Sequence, residues 1–529
     1  MSLIALIAVP LAAALLCALL GRVAPRAVRW LALAAAATVL ALAVRLWALH
    51  AAELSAALAG GGGPWIEELA LPWIASFGIG FHLALDGLSL LLVLLSGLLG
   101  LACVGISWGT IQRQAGFYYF NLLLTLAGIL GVFLALDLFL FYFFWELMLV
   151  PMYFLILLWG HERRQAAALK FFIFTQSGGL AMLAAILALY FLHGRATGQY
   201  TFDAVKLVAT ALSPGAERWI LLGFVAAFAV KLPAVPLHPW LPDAHTQAPT
   251  AGSVLLAGLL LKTGAYGLLR FALPLFPSAA AWLAPALLVL AVVGILYGAF
   301  LASVQSDLKR LVAYTSISHM GFVLLGVGLR SLVALQGAVV VMLAHGLATG
   351  ALFILAGSIQ DRLHTRDLAR MGGFWGPAPR LALALLFFSM ASLGLPGLGN
   401  FVGEFLSLLG ADRASLLLAV LGSCGLILAT LYTVRLLRST VFGNPPERGA
   451  PMELHWRERL VLAALAVGLF WLGLFPRAAL DLSTPFLRTL QPAPAVASAD
   501  APPAASVPAA AQAGGPAPAP AALPAGGTP

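Results

Sequence analysis

Charge is what this sequence has least of. Asp, Glu, Lys and Arg make up 9% of the 529 residues, and hydrophobic residues make up 62%. An ordinary soluble domain has roughly a quarter of its residues charged. So few charges cannot cover a surface that faces water, and lipid must be the solvent for most of the chain. Cysteine is also scarce. Cys17, Cys103 and Cys424 each lie in an apolar run, far from one another. That excludes a disulfide framework, a zinc site and an iron–sulfur site, and leaves small buried hydrophobes. The ten histidines show neither HxxxH nor HExxH spacing, so no metal site is expected. There is no P-loop, no dinucleotide fingerprint and no Ser/His/Asp arrangement. No redox chemistry and no cofactor are therefore expected in this chain. The net charge of +9 suits basic loops at a membrane face better than nucleic-acid binding. The hydrophobic run from Ser2 to Leu20 lacks a basic leader and is followed at once by more spans, so it reads as a first transmembrane helix.

What is present is a succession of long apolar runs. A spanning helix needs about 20 mostly apolar residues. That rule gives fourteen candidates, at 2–20, 28–49, 84–108, 116–135, 138–159, 166–192, 217–246, 250–273, 280–303, 308–329, 332–358, 380–410, 412–437 and 458–476. The split between the fourth and fifth rests on one charge, Asp137. The fold class expected is an all-α polytopic membrane protein. Eighteen of the 29 Lys and Arg fall in or beside loops after odd-numbered spans, from Arg22, Arg26 and Arg29 to Arg435, Arg438, Arg448, Arg457 and Arg459. The other side has nine, counting Arg45 and the tail. This bias places the odd loops in the cytoplasm and both termini outside it. The acidic 51–83 stretch, with Glu53, Glu67 and Glu68, lies opposite.

Two spans look broken, the seventh by Lys-Leu-Pro-Ala-Val-Pro at 231–236 and the twelfth by Gly-Leu-Pro-Gly-Leu-Gly-Asn at 394–400. Proline removes a helix hydrogen bond and glycine weakens the helix. In lipid the freed carbonyls need protein or water, so such breaks mark a cavity or pathway. The breaks fall in the fourth member of spans 4–8 and the fourth member of spans 9–13. That is the pattern of an inverted repeat, since five is odd and the second set must be upside down. The organisation expected is helices 1–3 in 1–115, a first five-helix repeat in 116–273, a second in 280–437, a final helix in 438–489 and a disordered Ala/Pro-rich tail in 490–529.

Six ionisable residues sit in mid-span: Glu146, Lys231, Lys262, His319, His345 and Glu404. A charge at the bilayer centre costs at least ~2.5–3.5 kcal/mol, and such residues mark proton or ion pathways. An ion pair that merely fixes helix positions explains one pair poorly and six residues on six spans worse. Glu146 lies nine residues after Asp137, which at 1.5 Å per residue is ~13 Å from the membrane face. Lys231 sits two residues before the break in its span. Burial pushes a lysine toward the neutral amine and a nearby carboxylate pulls it back, so moving the carboxylate switches the lysine. Lysine suits this role where arginine would stay charged. Histidine relays protons near neutral pH. Glu404 follows the second break and is the counterpart of Lys231 in the second half.

The segment Phe-Tyr-Phe-Phe-Trp-Glu-Leu-Met-Leu-Val-Pro-Met-Tyr (141–153), with Leu-Trp-Gly-His-Glu (158–162), resembles the M-type subunits of bacterial respiratory complex I. These are the counterparts of chain 4 of the mitochondrial enzyme, an NADH:quinone oxidoreductase. The runs 231–254 and 303–316 resemble the wider proton-translocating and antiporter family. The likeness covers about 80–480 and leaves out the Ala/Pro tail. It implies fourteen helices, two inverted repeats and a proton half-channel in each. It implies that Glu146 modulates Lys231, that Lys262 links toward the second half, and that Glu404 is the exit-side proton carrier. Sister subunits carry lysine at the Glu404 position, so glutamate points to the M type. It also implies that flavin, iron–sulfur clusters and quinone belong to partner subunits, and that the neighbours are other membrane subunits of the complex, sister antiporter-like ones above all, in a bacterial inner membrane. The alternative is a subunit of a multisubunit cation/proton antiporter or membrane-bound hydrogenase, which shares the 231–254 run.

Overall fold

The structure is a computed structural model that describes residues 1–58, 65–443, 453–492 and 519. The chain divides into the units Met1–Gln491 and Pro492–Pro529. Of the second unit only residues 492 and 519 are described. Nearly all of the tail expected to be disordered, and Arg448, therefore lie outside the described residues.

The first unit begins with α1 (Ser2–Leu20) and α2 (Pro25–Leu58), then a hairpin of β1 (Glu67–Ile74) and β2 (Ile79–Leu85). There follow α3 (Gly87–Thr110), α4 (Ala115–Leu134), α5 (Leu138–Leu147), α6 (Leu149–Trp159) and α7 (Arg164–Thr197). Next come the short α8 (Ala204–Leu207), α9 (Pro214–Lys231) and α10 (Trp240–Gln247). The span α11 (Thr250–Leu275) is helical throughout but carries two π-helical stretches, Leu256–Leu260 and Leu268–Ala272. The second half has α12 (Pro277–Val304), α13 (Leu308–Leu329), α14 (Leu332–Leu363), α15 (Pro379–Leu393), α16 (Gly399–Ala414) and α17 (Leu416–Thr440). It closes with α18 (Trp456–Leu474) and α19 (Arg477–Thr489), bent by 70° from each other.

Short acidic side chains start many of these helices. Asp86 accepts from the Ser89 backbone N–H at 2.9 Å to cap α3. Asp137 caps α5 through Phe139 and Leu140, which confirms the split between the fourth and fifth spans. Each cap satisfies donors that would otherwise be orphaned at a helix start. The outward residues are the reverse of a soluble protein: Leu15, Ile173, Val289, Ile427 and Val467 are all more than half exposed, as suits faces turned to lipid.

Eleven helices among the described residues are long and apolar enough to cross a membrane, or twelve if α18 with α19 counts as one span. The fourteen expected are not all continuous helices, and the reason is local. The 217–246 and 380–410 candidates are each split into two shorter helices by the proline and glycine runs. At the first break the Trp240 indole donates to the Val230 carbonyl at 2.9 Å, satisfying a group that a continuous helix would have used. At the second, Gly394 has φ +86°, and a Cβ there would lie 3.0 Å from Glu404 Oε2. Only glycine fits both the left-handed backbone and the carboxylate.

One backbone pattern occurs twice. Leu138 N–H donates to Phe202 O and Ala204 N–H to Leu136 O, at 2.8 and 3.1 Å. Leu308 N–H donates to Arg366 O and Leu368 N–H to Ser306 O, at 2.9 and 2.8 Å. In each case two capping aspartates face each other across the bridge, Asp137 with Asp203 and Asp307 with Asp367. Thr201 and Thr365 each accept the backbone N–H of the aspartate two residues on.

The all-α expectation needs one correction. The 51–83 stretch, read as an acidic connection, contains the antiparallel hairpin, whose register pairs Ala70 with His82 and Glu68 with Ala84. The alternation is hidden by Pro72 and by a turn without the usual two-residue signal. His82 Nε2 lies 2.8 Å from Glu68 Oε1 and its Nδ1 lies 3.4 Å from Asp203 Oδ2. Carboxylates at both ring nitrogens favour the imidazolium, and the His82 pKa is raised by Asp203 first and by Glu68 as well, against burial. A raised folded-state pKa means that the stabilisation is complete below the ordinary histidine value and is lost as pH rises through the folded value. The difference in melting temperature between the solubilised protein and its His82→Gln variant is therefore expected to shrink from about pH 6 to about pH 9. A constant difference would mean that the ring stays neutral.

Candidate functional site

Four of the six mid-span residues lie in one buried row, with a close polar contact at each end and a ring contact, not a hydrogen bond, between the two histidines. Lys262 Nζ donates to the Ala257 carbonyl at 2.5 Å and lies 2.6 Å from His345 Nδ1. The π-helical turn Leu256–Leu260 sets this up, because widening the helix frees carbonyls that an α-helix would have used. The His345 and His319 rings meet edge to face with centroids 5.5 Å apart. His319 Nδ1 lies 2.8 Å from Glu404 Oε1, and its Nε2 lies 3.2 Å from the Ser392 hydroxyl. Lys262 and His345 have no solvent exposure and Glu404 has 2%. The row therefore runs from α11 through α14 and α13 to α16, all inside protein.

The other two residues stand apart from it. Lys231 ends α9, where Leu232-Pro233 stops the helix. Among the described residues its Nζ has no hydrogen-bond partner, and it faces the rings of Trp145 and Phe171, 5.2 and 5.7 Å from their centroids. Among the described residues Glu146 Oε1 is also buried without a hydrogen-bond partner, and the two groups lie within electrostatic reach of each other without a hydrogen bond. Gly179 of α7 leaves room for that carboxylate oxygen, which a Cβ would strike. The α9 and α11 backbones meet closely here, since a Cβ on Gly264 would lie 3.0 Å from Lys231 Cβ. No hydrogen bond joins Lys231 to Lys262 among the described residues.

Sequence reasoning missed several buried polar residues. His245 in α10 has no exposure, stacks on Phe353 with centroids 4.6 Å apart, and among the described residues has no hydrogen-bond partner at either ring nitrogen. Lys309 is fully buried, 3.3 Å from His161 Nε2 and 3.5 Å from the Ala248 carbonyl. His161, in the loop before α7, is held neutral by burial and by the charges of Lys309 and Arg366, its pKa pushed down to about 3. Two polar cavities of about 440 and 570 Å³ open beside it, sharing Glu162, Asp307 and Arg366. Both His245 and Lys309 lie in the runs that carry the family resemblance. A lone histidine or a lysine near a helix start gives no depth signal, so neither stood out. A buried pair also went unforeseen: Arg270 Nη2 on Asp86 Oδ2 at 2.5 Å, tying α11 to the start of α3. Among the described residues no group of three or more His, Cys, Asp and Glu could hold a metal.

The sequence model of the family described as "NADH:quinone oxidoreductase/Mrp antiporter, TM" matches residues 135–429. The chain is 52% identical over 492 residues to the NADH-quinone oxidoreductase subunit M of Pseudomonas aeruginosa, covering 92% of this chain and 96% of that one. The chain belongs to the M-type subunits of NADH-quinone oxidoreductase. The subunit M of Escherichia coli K12 is 50% identical over 494 residues, covering 92% of this chain and 97% of that one. A solved chain of respiratory complex I from Thermus thermophilus with bound NADH superposes with a TM-score of 0.82 at 32% identity, over 93% of this chain and all of that one. The Mrp complex from Dietzia sp. matches with a TM-score of 0.78 at 22% identity, which shows a shared fold. This M-type subunit is thus an antiporter-like, proton-translocating membrane subunit of complex I. The relatives near half identity, all M-type subunits, favour it over the multisubunit antiporter alternative, of which the Mrp chain matches at 22% identity.

Proposed function

We propose that protons cross this subunit along the row Glu146, Lys231, Lys262, His345, His319 and Glu404, driven by NADH oxidation and quinone reduction in partner subunits. The observation that carries this reading is the buried row from Lys262 to Glu404, hydrogen-bonded at both ends with the two imidazole rings in edge-to-face contact between them. When Glu146 is close, Lys231 holds its proton; when they separate, the buried ammonium gives it up toward Lys262. The two imidazoles pass it on, each exchanging one ring proton for another. Glu404 then releases it on the far face. The polar cavities at the arginine-rich face supply water, and His245, within electrostatic reach of both Lys262 and Lys309, lies between that water and the row.

The same reading makes the fold fourteen spans, with α9–α10 and α15–α16 as broken ones, in two inverted five-helix sets within 116–273 and 280–437. The duplicated aspartate bridge supports this. It follows the third helix of each set and caps the second, and spans 5–6 and 10–11 are joined on opposite faces. The arginine-rich face is then cytoplasmic in a bacterial inner membrane, with the termini periplasmic. Flavin and iron–sulfur clusters reside in partner subunits, and sister antiporter-like subunits flank this one.

Lys262→Met tests the row, since it keeps the side-chain length and removes both the proton and the contact to His345. NADH-driven proton uptake in inverted vesicles is expected to fall about tenfold or more, with the complex still assembled. Unchanged uptake would show that protons bypass α11.

A further inference from the structure

We propose that the arginine-rich face of this subunit holds an anionic phospholipid, one acyl chain in the groove between α2, α3 and α18 and its phosphate on Arg457. The groove has a volume of about 430 Å³ and its lining is almost wholly apolar, with Arg457 its one charged residue. Trp30 lies in the second turn of α2, Trp108 in the last turn of α3, and Trp456 opens α18. Three tryptophans from three helices thus ring the mouth at one membrane level, the Trp30 and Trp108 rings packed edge to face with centroids 4.8 Å apart. Tryptophan favours this headgroup level because its ring is apolar and its N–H wet. On α3 the lining runs from Trp108 down to Leu98, about 15 Å at 1.5 Å per residue, or half of a ~30 Å hydrocarbon core. The groove is therefore open at the headgroup level and as deep as one leaflet.

The charge at the mouth selects the occupant. The Arg457 guanidinium sits over the end of α3, 3.6 Å from where a Cβ on Gly109 would be. Arg457 makes no hydrogen bond or ion pair among the described residues. The Tyr119 hydroxyl, in the field of Arg29 and Arg457, is buried without a partner, and so is Arg29 Nε. A basic site at the top of an apolar groove between membrane helices matches a phosphate above an acyl chain.

The test uses the intact complex in bilayer discs of phosphatidylethanolamine with a minor share of phosphatidylglycerol, each lipid in turn carrying a photoreactive acyl chain. Cross-linked peptides are then mapped. The expected result is labelling of α2, α3 and α18 within the groove, with phosphatidylglycerol favoured about fivefold, the contribution of one basic residue near an anionic phosphate. Arg457→Gln is expected to remove that preference, and Ala464→Phe, which fills the groove, to remove the labelling. Equal labelling by both lipids, unchanged in Arg457→Gln, would reduce the groove to ordinary lipid contact and overturn the proposal. No groove labelling in the unmodified complex would mean that a neighbouring subunit's helix fills it, and would overturn the proposal equally.

Discussion

Replacing Lys231 by alanine is expected to reduce NADH-driven proton uptake in inverted vesicles nearly to background, while the complex still assembles. Lys231 is the only titratable group at the end of α9, and its ammonium is held without a hydrogen-bond partner beside Trp145 and Phe171. Such a group exchanges its proton when its surroundings change slightly. Alanine leaves the break but removes the titratable group. Lys231→Arg separates two explanations. If the residue served only as a cation on the two rings, arginine would restore function, because it stacks on aromatic faces at least as well. If it must lose its proton, arginine is expected to fail as alanine does, since it stays charged. A normal proton-to-electron stoichiometry in Lys231→Ala would sink the proposed route.

The second large effect is expected at Glu404. Glu404→Gln keeps the size of the side chain and an oxygen for the contact at 2.8 Å from His319 Nδ1, but it cannot take up or release a proton. Proton uptake is expected to fall about tenfold or more. Glu404→Asp is expected to keep part of it, and so is Glu404→Lys, which retains a titratable group. A positioning role for Glu404 predicts the opposite order, with glutamine tolerated and lysine not. Uptake rates in matched vesicles, at equal NADH oxidation capacity, distinguish the two orders.

The breaks were legible because proline and glycine act on the backbone they belong to. Pro233 ends α9 and Gly394 ends α15 where the sequence placed the interruptions. The mid-span charges were legible because depth along a helix follows from counting residues. The partners of those charges were not. The 83 residues between Lys262 and His345 say nothing about a 2.6 Å contact. The sequence placed His319 and His345 at one depth but left open which of them meets Lys262 and which meets Glu404. Glu146 and Lys231 lie within electrostatic reach of each other with no hydrogen bond between them, and Gly179 leaves the room that the carboxylate occupies.

Composition and pattern alone determined that this chain lives in a membrane and where two of its apolar runs break, and they singled out the ionisable residues inside those runs. All of that follows from lipid refusing bare charges and unsatisfied backbone. Tertiary structure decided what no local pattern contains: the hairpin at the opposite face, the buried His245 and Lys309, and the order Lys262, His345, His319, Glu404. These depend on which helix faces lie against each other. That is settled by packing between residues far apart in the chain, such as Gly264 against Lys231, where the absence of a side chain on one helix makes room for another.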